Sequence, residues 1–361
     1  MNFTHLHVHT EYSLLDGSNK INEYVSRVKE LGMKSAAITD HGVMFGCIDF
    51  YKAAKAAGIK PILGCEVYVA PGSRFDKEKG KEEDRYYHLV LLAENNEGYH
   101  NLIKLVSYGF TEGFYYKPRV DMEILQQYHE GIIALSACLA GEVPRFLQRG
   151  MYDEAKEIAL KHQELFGKNN YFLELQSHGI DAQELVNQQL VRMSKETGIG
   201  LVCTNDIHYT YAEDAAPHDV LLCIQTGKKL ADEDRMRYEG GQYFVKSEQQ
   251  MAELFPYAPQ ALANTQQIAD RCNVEIEFGV TKLPHYQVPE GYDSWTYLNK
   301  LCFDGLQERY GEKAEELKPR LTSELETIQK MGYVDYFLIV WDFINYARTH
   351  HIPVGPGRGS A

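Results

Sequence analysis

Three histidines at every second residue, His5, His7 and His9, stand in the stretch THLHVHTEYSLLDG that runs from Thr4 to Gly17. In an extended chain successive side chains point to opposite faces, so these imidazoles share one side while Thr4, Leu6 and Val8 take the other. Imidazole is a ligand for zinc, copper, iron and nickel, and two nitrogens two residues apart on a strand reach one ion together. A polar strand face explains one histidine well. An H-x-H pair followed by Asp16 in an Asp-Gly turn points instead to a metal, although the stretch alone fixes neither the metal nor the reaction. Similar residue types recur downstream: His41 in TDHG, Glu66 in GCEVY, His88 in YYHLVLL, Cys138 in LSACL, and Asp206 and His208 in TNDIHY.

Residues so far apart in the chain need a scaffold that gathers them. Seven β-like runs are legible, Phe3 to His9, Ser35 to Thr39, Pro61 to Val69, Tyr86 to Leu92, Gly131 to Ser136, Tyr171 to Gln176 and Gly200 to Asn205. Helical patterns cover Ile21 to Leu31, Phe45 to Ala57, Gly98 to Tyr108, Met122 to Tyr128, Tyr152 to Phe166 and Ala182 to Thr197. Such alternation predicts βαβ units, a parallel sheet and, with seven units, an α/β barrel. Strands of a parallel barrel end on one rim, where active sites form. His7, His9, Asp16, His41, Glu66, Cys138, Asp206 and His208 fall at or after strand ends, so they are expected to converge. His88 stands early in its strand, so either that boundary or that ligand is out of place.

Each residue alone has a plainer reading. A single His88 or Cys138 is more often packed than ligating. Asp206 is a candidate cap and Glu66 a candidate ion-pair partner, while Asp40 reads as a cap or as a group that orients a ligand. His5 and His178 are candidates for supporting a ligand or facing substrate, and His100, His129, His162 and His285 read as surface positions. The joint pattern outweighs these readings, because independent accidents do not select six strand ends in turn.

The length of 361 residues predicts one large barrel with an appendage, or two domains, and 44% hydrophobic residues suffice for a core. A net charge of −14, from 37 Lys and Arg against 51 Asp and Glu, excludes a surface that holds duplex DNA by general phosphate neutralisation; any attraction must be local. MNFTHLHVHTEY has neither a basic start nor an apolar core and predicts no leader, and the apolar run from Phe337 to Trp341 is too short to span a bilayer. Seven cysteines without a C-x-x-C pair predict a reducing, cytoplasmic setting. The charged stretch from Arg74 to Arg85 reads as a solvated loop. Helical patterns from Asp293 to Tyr310 and Arg320 to Met331 lead into YFLIVWDFINYARTH and GPGRGSA, a glycine turn whose backbone N–H groups, with Arg358 and Ser360, suit a phosphate.

These motifs resemble the PHP (polymerase and histidinol phosphatase) family, in the form carried by bacterial replicative C-family DNA polymerases. HLHVHT with Asp16, TDHG, GCE, the His88 strand, the Cys138 loop and Asp206-Ile207-His208 carry the PHP likeness; GFYYKPRVD, ALANT and PVGPGRGS carry the polymerase likeness. The resemblance implies a distorted seven-stranded, TIM-like (βα) barrel over residues 1–273, then the mostly helical start of a palm over 274–361. It implies three divalent ions, zinc, manganese or iron, with magnesium for the complete polymerase. His7, His9, Glu66 and Asp206 would hold one; Glu66 would bridge to a second on His88 and Cys138; Asp16, His41 and His208 would hold the third. Three divalent ions against four anionic side chains leave about two positive charges, enough to draw a phosphate. The implied reaction is phosphoester hydrolysis by metal-bound hydroxide with no protein nucleophile, as a 3′-5′ proofreading exonuclease acting on a primer terminus or single-stranded DNA.

Lys117 and Arg119 in YYKPR are candidates to grip phosphates, as is His178 to face substrate, and Gly357, Arg358 and Ser360 to bind nucleotide in the palm. Implied partners are the rest of the polymerase and replisome subunits, such as a sliding clamp or a separate exonuclease, with no membrane. Family palm carboxylates lie further on, so Asp335 and Asp342 are expected to decorate helices and this stretch to lack polymerase activity. Two alternatives stay open: a structural domain that braces the palm and docks an exonuclease, and a free-standing enzyme like histidinol phosphatase, against which the palm-like tail argues.

Overall fold

The computed structural model describes residues 3–77, 85–280 and 282–357. It divides into two compact units, Met1–Ile276 and Glu277–Ala361.

The first unit is a curled sheet wrapped in helices. Its strands are β1 (Ser35–Ile38), β2 (Lys60–Val69), β3 (Tyr87–Ala93), β4 (Arg119–Val120), β5 (Ile132–Leu135), β6 (Tyr171–Leu175) and β7 (Gly200–Cys203). They lie in the order β1-β2-β3-β5-β6-β7, with β4 beside β2. All but β4 are near-continuous apolar runs, as strands covered on both faces must be. The stretch 3–9, expected as the first strand, is extended but keeps only one bridge, Val8 to Ile207. Side chains interrupt its ladder: the Val8 N–H donates to Thr39 Oγ1 (2.7 Å) and that of Thr4 to Thr265 Oγ1 (3.0 Å). It still closes the curl, since Ala37 and Thr39 donate to the carbonyls of His5 and Val8, and His9 and Ile207 exchange bonds with Ile207 and His7.

The sheet is not wholly parallel, which corrects the expectation. β3 runs antiparallel to both β2 and β5, while β1/β2, β5/β6 and β6/β7 are parallel. The connection is consistent with this: no helix separates β2 from β3 among the described residues, whereas parallel neighbours are usually joined by a helical crossover. With β3 reversed, its beginning lies where its neighbours end.

Inside the curl, Leu6, Ala37, Ile62, Val90, Leu92, Ile133, Leu135 and Val202 form one buried cluster, closed by Ile268 and Cys272 at the end of helix Pro259–Arg271. Strand side chains alternate with period two, so Ile62 shares a face with Glu66, Val90 with His88, and Val202 with Thr204 and Asp206. The inner face is therefore apolar at one end and rich in ligand atoms at the other. Outside, helices such as Ile21–Glu30, with Tyr24, Val25 and Val28 buried, and Tyr152–Phe166 pack a larger core. Asn95 and Asp121 cap helices Asn96–Thr111 and Met122–Gln127 by accepting from the N–H groups of Gly98 and Ile124. The described part of the charged stretch is less solvated than expected. Arg74 is buried and pairs with Glu112, Asp121 and Glu123 at 2.7, 3.1 and 2.9 Å.

In the second unit, helices Ser294–Tyr310, Ala314–Lys330 and Val334–Thr349 pack around Leu298, Leu325 and Leu338. Asp335 does more than decorate: it accepts from the Tyr286 N–H (3.0 Å) and Ser294 Oγ (2.7 Å), pinning the preceding segment, while Asp342 accepts from Tyr286 Oη (3.1 Å). Gly357 is exposed, and Arg358 and Ser360 lie outside the described residues. Among the described residues no helix is long and apolar enough to cross a membrane.

Candidate metal centre

All nine residues singled out by motif meet in one connected group at the polar end of the sheet. Glu66, fully buried in β2, is its hub: Oε2 accepts from His41 Nδ1 (2.6 Å), Oε1 accepts from His88 Nδ1 (2.8 Å), and His7 Nε2 lies 3.2 Å from Oε1. Asp206 Oδ1 lies 3.0 Å from His9 Nε2 and 3.3 Å from His7 Nε2. Asp16 Oδ2 is 3.2 Å from His41 Nε2, and its Oδ1 is 3.8 Å from His208 Nε2. Cys138 Sγ is 3.6 Å from His88 Nδ1. Three trios have ligand atoms within 4.8 Å of one another: His7, His9 and Glu66; Glu66, His88 and Cys138; and His9, His41 and His208. His88 belongs because β3 is reversed, so a residue early in that strand reaches the same rim, with Tyr68 of β2 as its register partner.

Local backbone features aim these side chains. Asp16 sits in a turn closed by Gly17 N–H to Ser13 O (2.8 Å), and a Cβ on Gly17 would stand 2.1 Å from Thr10 O, so only glycine permits the close approach. Asp206 has φ 44°, a left-handed conformation unusual outside glycine, held while its carboxylate faces His7 and His9. Asp40, buried, accepts from Thr10 N–H (2.6 Å), Thr10 Oγ1 (2.8 Å) and Ser13 Oγ (2.7 Å), fixing the turn that carries Asp16. His208 Nδ1 donates to Asp206 O (2.7 Å), which leaves Nε2 facing the group.

The residues fit cations. Nε2 of His7, His9 and His41 and Oδ1 of Asp16 and Asp206 are buried without a hydrogen-bond partner, although they crowd to within a few ångströms of one another. The ion pairs of Asp16, Glu66, Glu174 and Asp206 among the described residues are all to histidine. Buried anions and lone pairs aimed at common points are costly unless something positive satisfies them. Histidine, carboxylate and one thiol suit zinc, manganese or iron.

Electrostatics follow the same logic. Burial pushes Glu66 up, but His88 and His41 outweigh it and hold its carboxyl well below the usual range. Burial opposes a charge on His41 too, yet Glu66 and Asp16 raise it to about 10. Burial, with His41 and His208 nearby, lowers His9 to about 3. Burial, reinforced by Asp206 and Glu66, pushes the Cys138 thiol up. Asp206 and Glu174 outweigh burial at His7 and raise it as well, and an ion takes only the unprotonated forms, so loading at neutral pH must displace protons from His7, His41 and Cys138. Because those folded-state values lie above neutrality, apparent affinity is expected to climb as pH rises from about 6 to 9. Calorimetric titration in buffers of different protonation enthalpy reads the released protons; an affinity flat over that range contradicts the assignment.

Sequence reasoning overlooked Glu174. Its Oε1 accepts from His7 Nδ1 (2.6 Å), Gln176 Nε2 (3.0 Å) and Thr204 Oγ1, turning His7 Nε2 towards Glu66 and Asp206. The available signal was a lone acid inside an apolar strand, YFLEL. Groups behind a ligand typically govern metal affinity about 10–100-fold, so Glu174→Gln is expected to weaken binding by that factor in a metal titration. Unchanged affinity would remove Glu174 from the account. Tyr238 was also overlooked; its Oη lies 3.2 Å from His208 Nε2 on a loop with no periodic signal.

Other candidates fall elsewhere. Lys117 Nζ stands 5.4 Å from the Tyr68 ring, and Tyr68 in turn packs on His41 and His88. Arg119 is not a phosphate grip: it is buried and donates to the carbonyls of Gly113, Arg74 and Asp76. His178 does not face substrate, since it is buried, bonded to Asn205 O (3.0 Å) and Gln183 Nε2 (2.8 Å), and stacked on Tyr243. His5 is buried and its Nε2 donates to Lys246 O (2.8 Å). His162, expected at the surface, is buried against Phe166 and Tyr171.

Comparison with known proteins agrees with this geometry. The PHP domain family matches residues 5–178, and the family described as bacterial DNA polymerase III alpha NTPase domain matches residues 296–361. The DNA polymerase III subunit alpha of Treponema pallidum is 49% identical over 100% of this chain and 31% of its own length. Those of Borreliella burgdorferi and Thermus aquaticus are 47% and 40% identical, over 99% and 100% of this chain and 31% and 35% of their own. Among solved structures, an amidohydrolase from Chromobacterium violaceum, with bound sulfate and no metal, aligns over 58% of this chain and 88% of its own at 15% identity; its TM-score of 0.38 is too low to argue from. The curled sheet with its rim of histidines and acids is that of a PHP domain. The chain belongs to the bacterial DNA polymerase III alpha subunit family, and spans about a third of the length of the curated relatives it matches.

Proposed function

We propose that this centre binds divalent ions and hydrolyses phosphodiesters, and that in the complete polymerase it acts as a 3′-5′ exonuclease that proofreads the primer strand. The observation that carries the reading is the convergence of buried, unpartnered imidazole nitrogens and carboxylate oxygens from separate elements at one rim. We assign His7, His9, Glu66 and Asp206 to one ion, Glu66, His88 and Cys138 to a second, and Asp16, His41 and His208 to a third. We read Met1–Ile276 as the PHP unit and Glu277–Ala361 as the start of the palm, in a cytoplasmic polymerase whose partners are the primer terminus and replisome subunits.

Divalent ions bound here would supply Lewis acidity at phosphorus and a more acidic water at neutral pH. The chain's own residues bind and orient. Glu174 and the Asp206 carbonyl accept hydrogen bonds from Nδ1 of His7 and His208, which turns the Nε2 of each towards the centre. Tyr238 Oη, close to His208 Nε2, is placed to donate to a phosphoryl oxygen. Cys138 acts as a ligand and not as a nucleophile in this reading: its Sγ faces His88 Nδ1 at 3.6 Å, and its surroundings push the thiol up.

The test pairs elemental analysis with degradation of a labelled primer, wild type against Asp206→Asn. Both metal and degradation are expected to fall together. A variant that loses metal yet degrades DNA at the wild-type rate assigns the activity to another protein. A wild type that holds metal and never cleaves favours the bracing role.

A further inference from the structure

A chain of net charge −14 needs a local attraction if its centre is to hold a phosphodiester strand, and the place for it is the side of the centre that opens to solvent. His41 and His88 keep 14% and 16% of their side chains exposed, whereas His7, His9 and His208 do not exceed 1%. Both of these open ligands pack on Tyr68, whose ring centre lies 6.4 Å from that of His41 and 5.2 Å from that of His88. Tyr68 is two residues past Glu66 in β2, so it stands on the same face, nearer the end of the strand. The loop 115–118 passes beside it: a Cβ on Gly42, the residue after His41, would meet the Tyr68 ring at 2.8 Å and Pro118 Cγ at 2.9 Å. Lys117 Nζ stands 5.4 Å from the same ring.

Two features of this loop suit a nucleic-acid strand. Its cation is available, since among the described residues Lys117 makes no ion pair and its ammonium carries three donors. Its aromatic side chain is presented to solvent: the Tyr115 N–H donates to the Lys117 carbonyl (3.0 Å), which folds a tight turn with Tyr116 at its tip, φ 62° and 57% exposed. A left-handed tyrosine is strained, and such strain persists only where the surroundings impose it. Here the root of the loop is fixed by buried Arg119, which donates to the carbonyls of Gly113, Arg74 and Asp76, and the Arg85 guanidinium lies 4.1 Å from the Tyr116 ring. An aromatic ring beside an ammonium matches a single strand, because every base has a face to stack and every phosphate a charge to meet.

We propose that Tyr116 and Lys117 are the residues that hold an unpaired strand at the mouth of the centre: Tyr116 stacks on a base, and Lys117 grips a phosphate next to the phosphodiester that lies at the ligands. The inference rests on the phosphodiesterase reading for its substrate class. It gives the strained tip a purpose and the acidic chain its local attraction.

The experiment is fluorescence anisotropy on the full chain loaded with manganese, with a labelled single-stranded oligothymidylate whose phosphorothioate linkages resist cleavage, at several salt concentrations. Tyr116→Ala is expected to weaken binding about tenfold with no change in salt dependence. Lys117→Gln is expected to weaken it about tenfold and to flatten the dependence of log affinity on log salt by roughly one charge. Tyr116→Phe and Lys117→Arg, which keep the ring and the charge, should bind within about twofold of wild type. A loss shared by all four variants is a structural effect and overturns the proposal. So does a wild type that does not bind, or Tyr116→Ala and Lys117→Gln that bind as tightly as wild type. Inorganic phosphate that competes as well as the oligonucleotide makes this a free-phosphate site and overturns it too. A wild type that binds through Tyr116 and Lys117 but never cleaves an ordinary primer leaves the strand-holding role standing and sinks the hydrolytic reading.

Discussion

Glu66→Gln is expected to cost hydrolysis roughly a thousandfold or more, the rate equivalent of losing several kcal/mol of charge stabilisation by metal ions. The argument is geometric. One carboxylate meets His41 at 2.6 Å, His88 at 2.8 Å and His7 at 3.2 Å, so it is common to two of the three proposed ion positions. Glutamine has the same shape but carries no charge, and its amide nitrogen cannot serve as a bridging anion. Without metal the substitution also takes from His41 and His88 the buried carboxylate that pairs with them, so the melting temperature of the chelated protein is expected to fall as well. Steady-state kinetics on a labelled 3′ end with saturating manganese, together with thermal melts in chelator, read both effects. A rate within tenfold of wild type would show that Glu66 bridges nothing.

Chelation should lower the melting temperature of the first unit by roughly 5–10 °C for each ion removed. An ion held at a hundred times its dissociation constant contributes about 2.7 kcal/mol to the folded state, and a unit of this size shifts by about 2–4 °C per kcal/mol. The sign follows from the donor set: Asp16, Glu66, Glu174 and Asp206 are all buried, and their ion-pair partners among the described residues are histidines. Removing the cations leaves those charges to compensate one another, which buried groups do poorly. The second unit, packed around Leu298, Leu325 and Leu338, contains none of these groups and should melt unchanged. Calorimetry in manganese and in chelator separates the two transitions, and identical curves would mean the centre holds no ion under those conditions.

Much of the centre was legible because its signal is chemical. Histidine, carboxylate and thiol at strand ends keep their meaning whatever the details of the sheet, so the nine residues that meet at the rim are legible from their types and places in the sequence. What stayed hidden depends on pairing over long distances. That β3 runs backwards is decided by its register against β2 and β5, and the readable hint was a charged loop, instead of a helix, between Val69 and Tyr87. His88 looked misplaced only because its strand was assumed to share a common direction.

The errors on polar residues have a related cause. Arg119 reads as a phosphate grip and His178 as a group that supports a ligand or faces substrate because residue type alone does not show burial, yet backbone carbonyls and a glutamine satisfy them in the interior. Arginine tolerates this, since its long stem packs while its five donors find acceptors. Glu174 was passed over for the opposite reason: one acid in a strand resembles an edge residue until Thr204, Gln176 and His7 are seen around it.

The central claim, that residues from separate strands hold a cluster of cations at one rim, is tested most directly by anomalous diffraction from crystals of the chain soaked in manganese. The account predicts peaks beside Glu66, flanked by His7 and His9 on one side and by His88 and Cys138 on another, with a third near Asp16, His41 and His208. A map with no peak among these residues, or with its strongest peaks elsewhere, would contradict it.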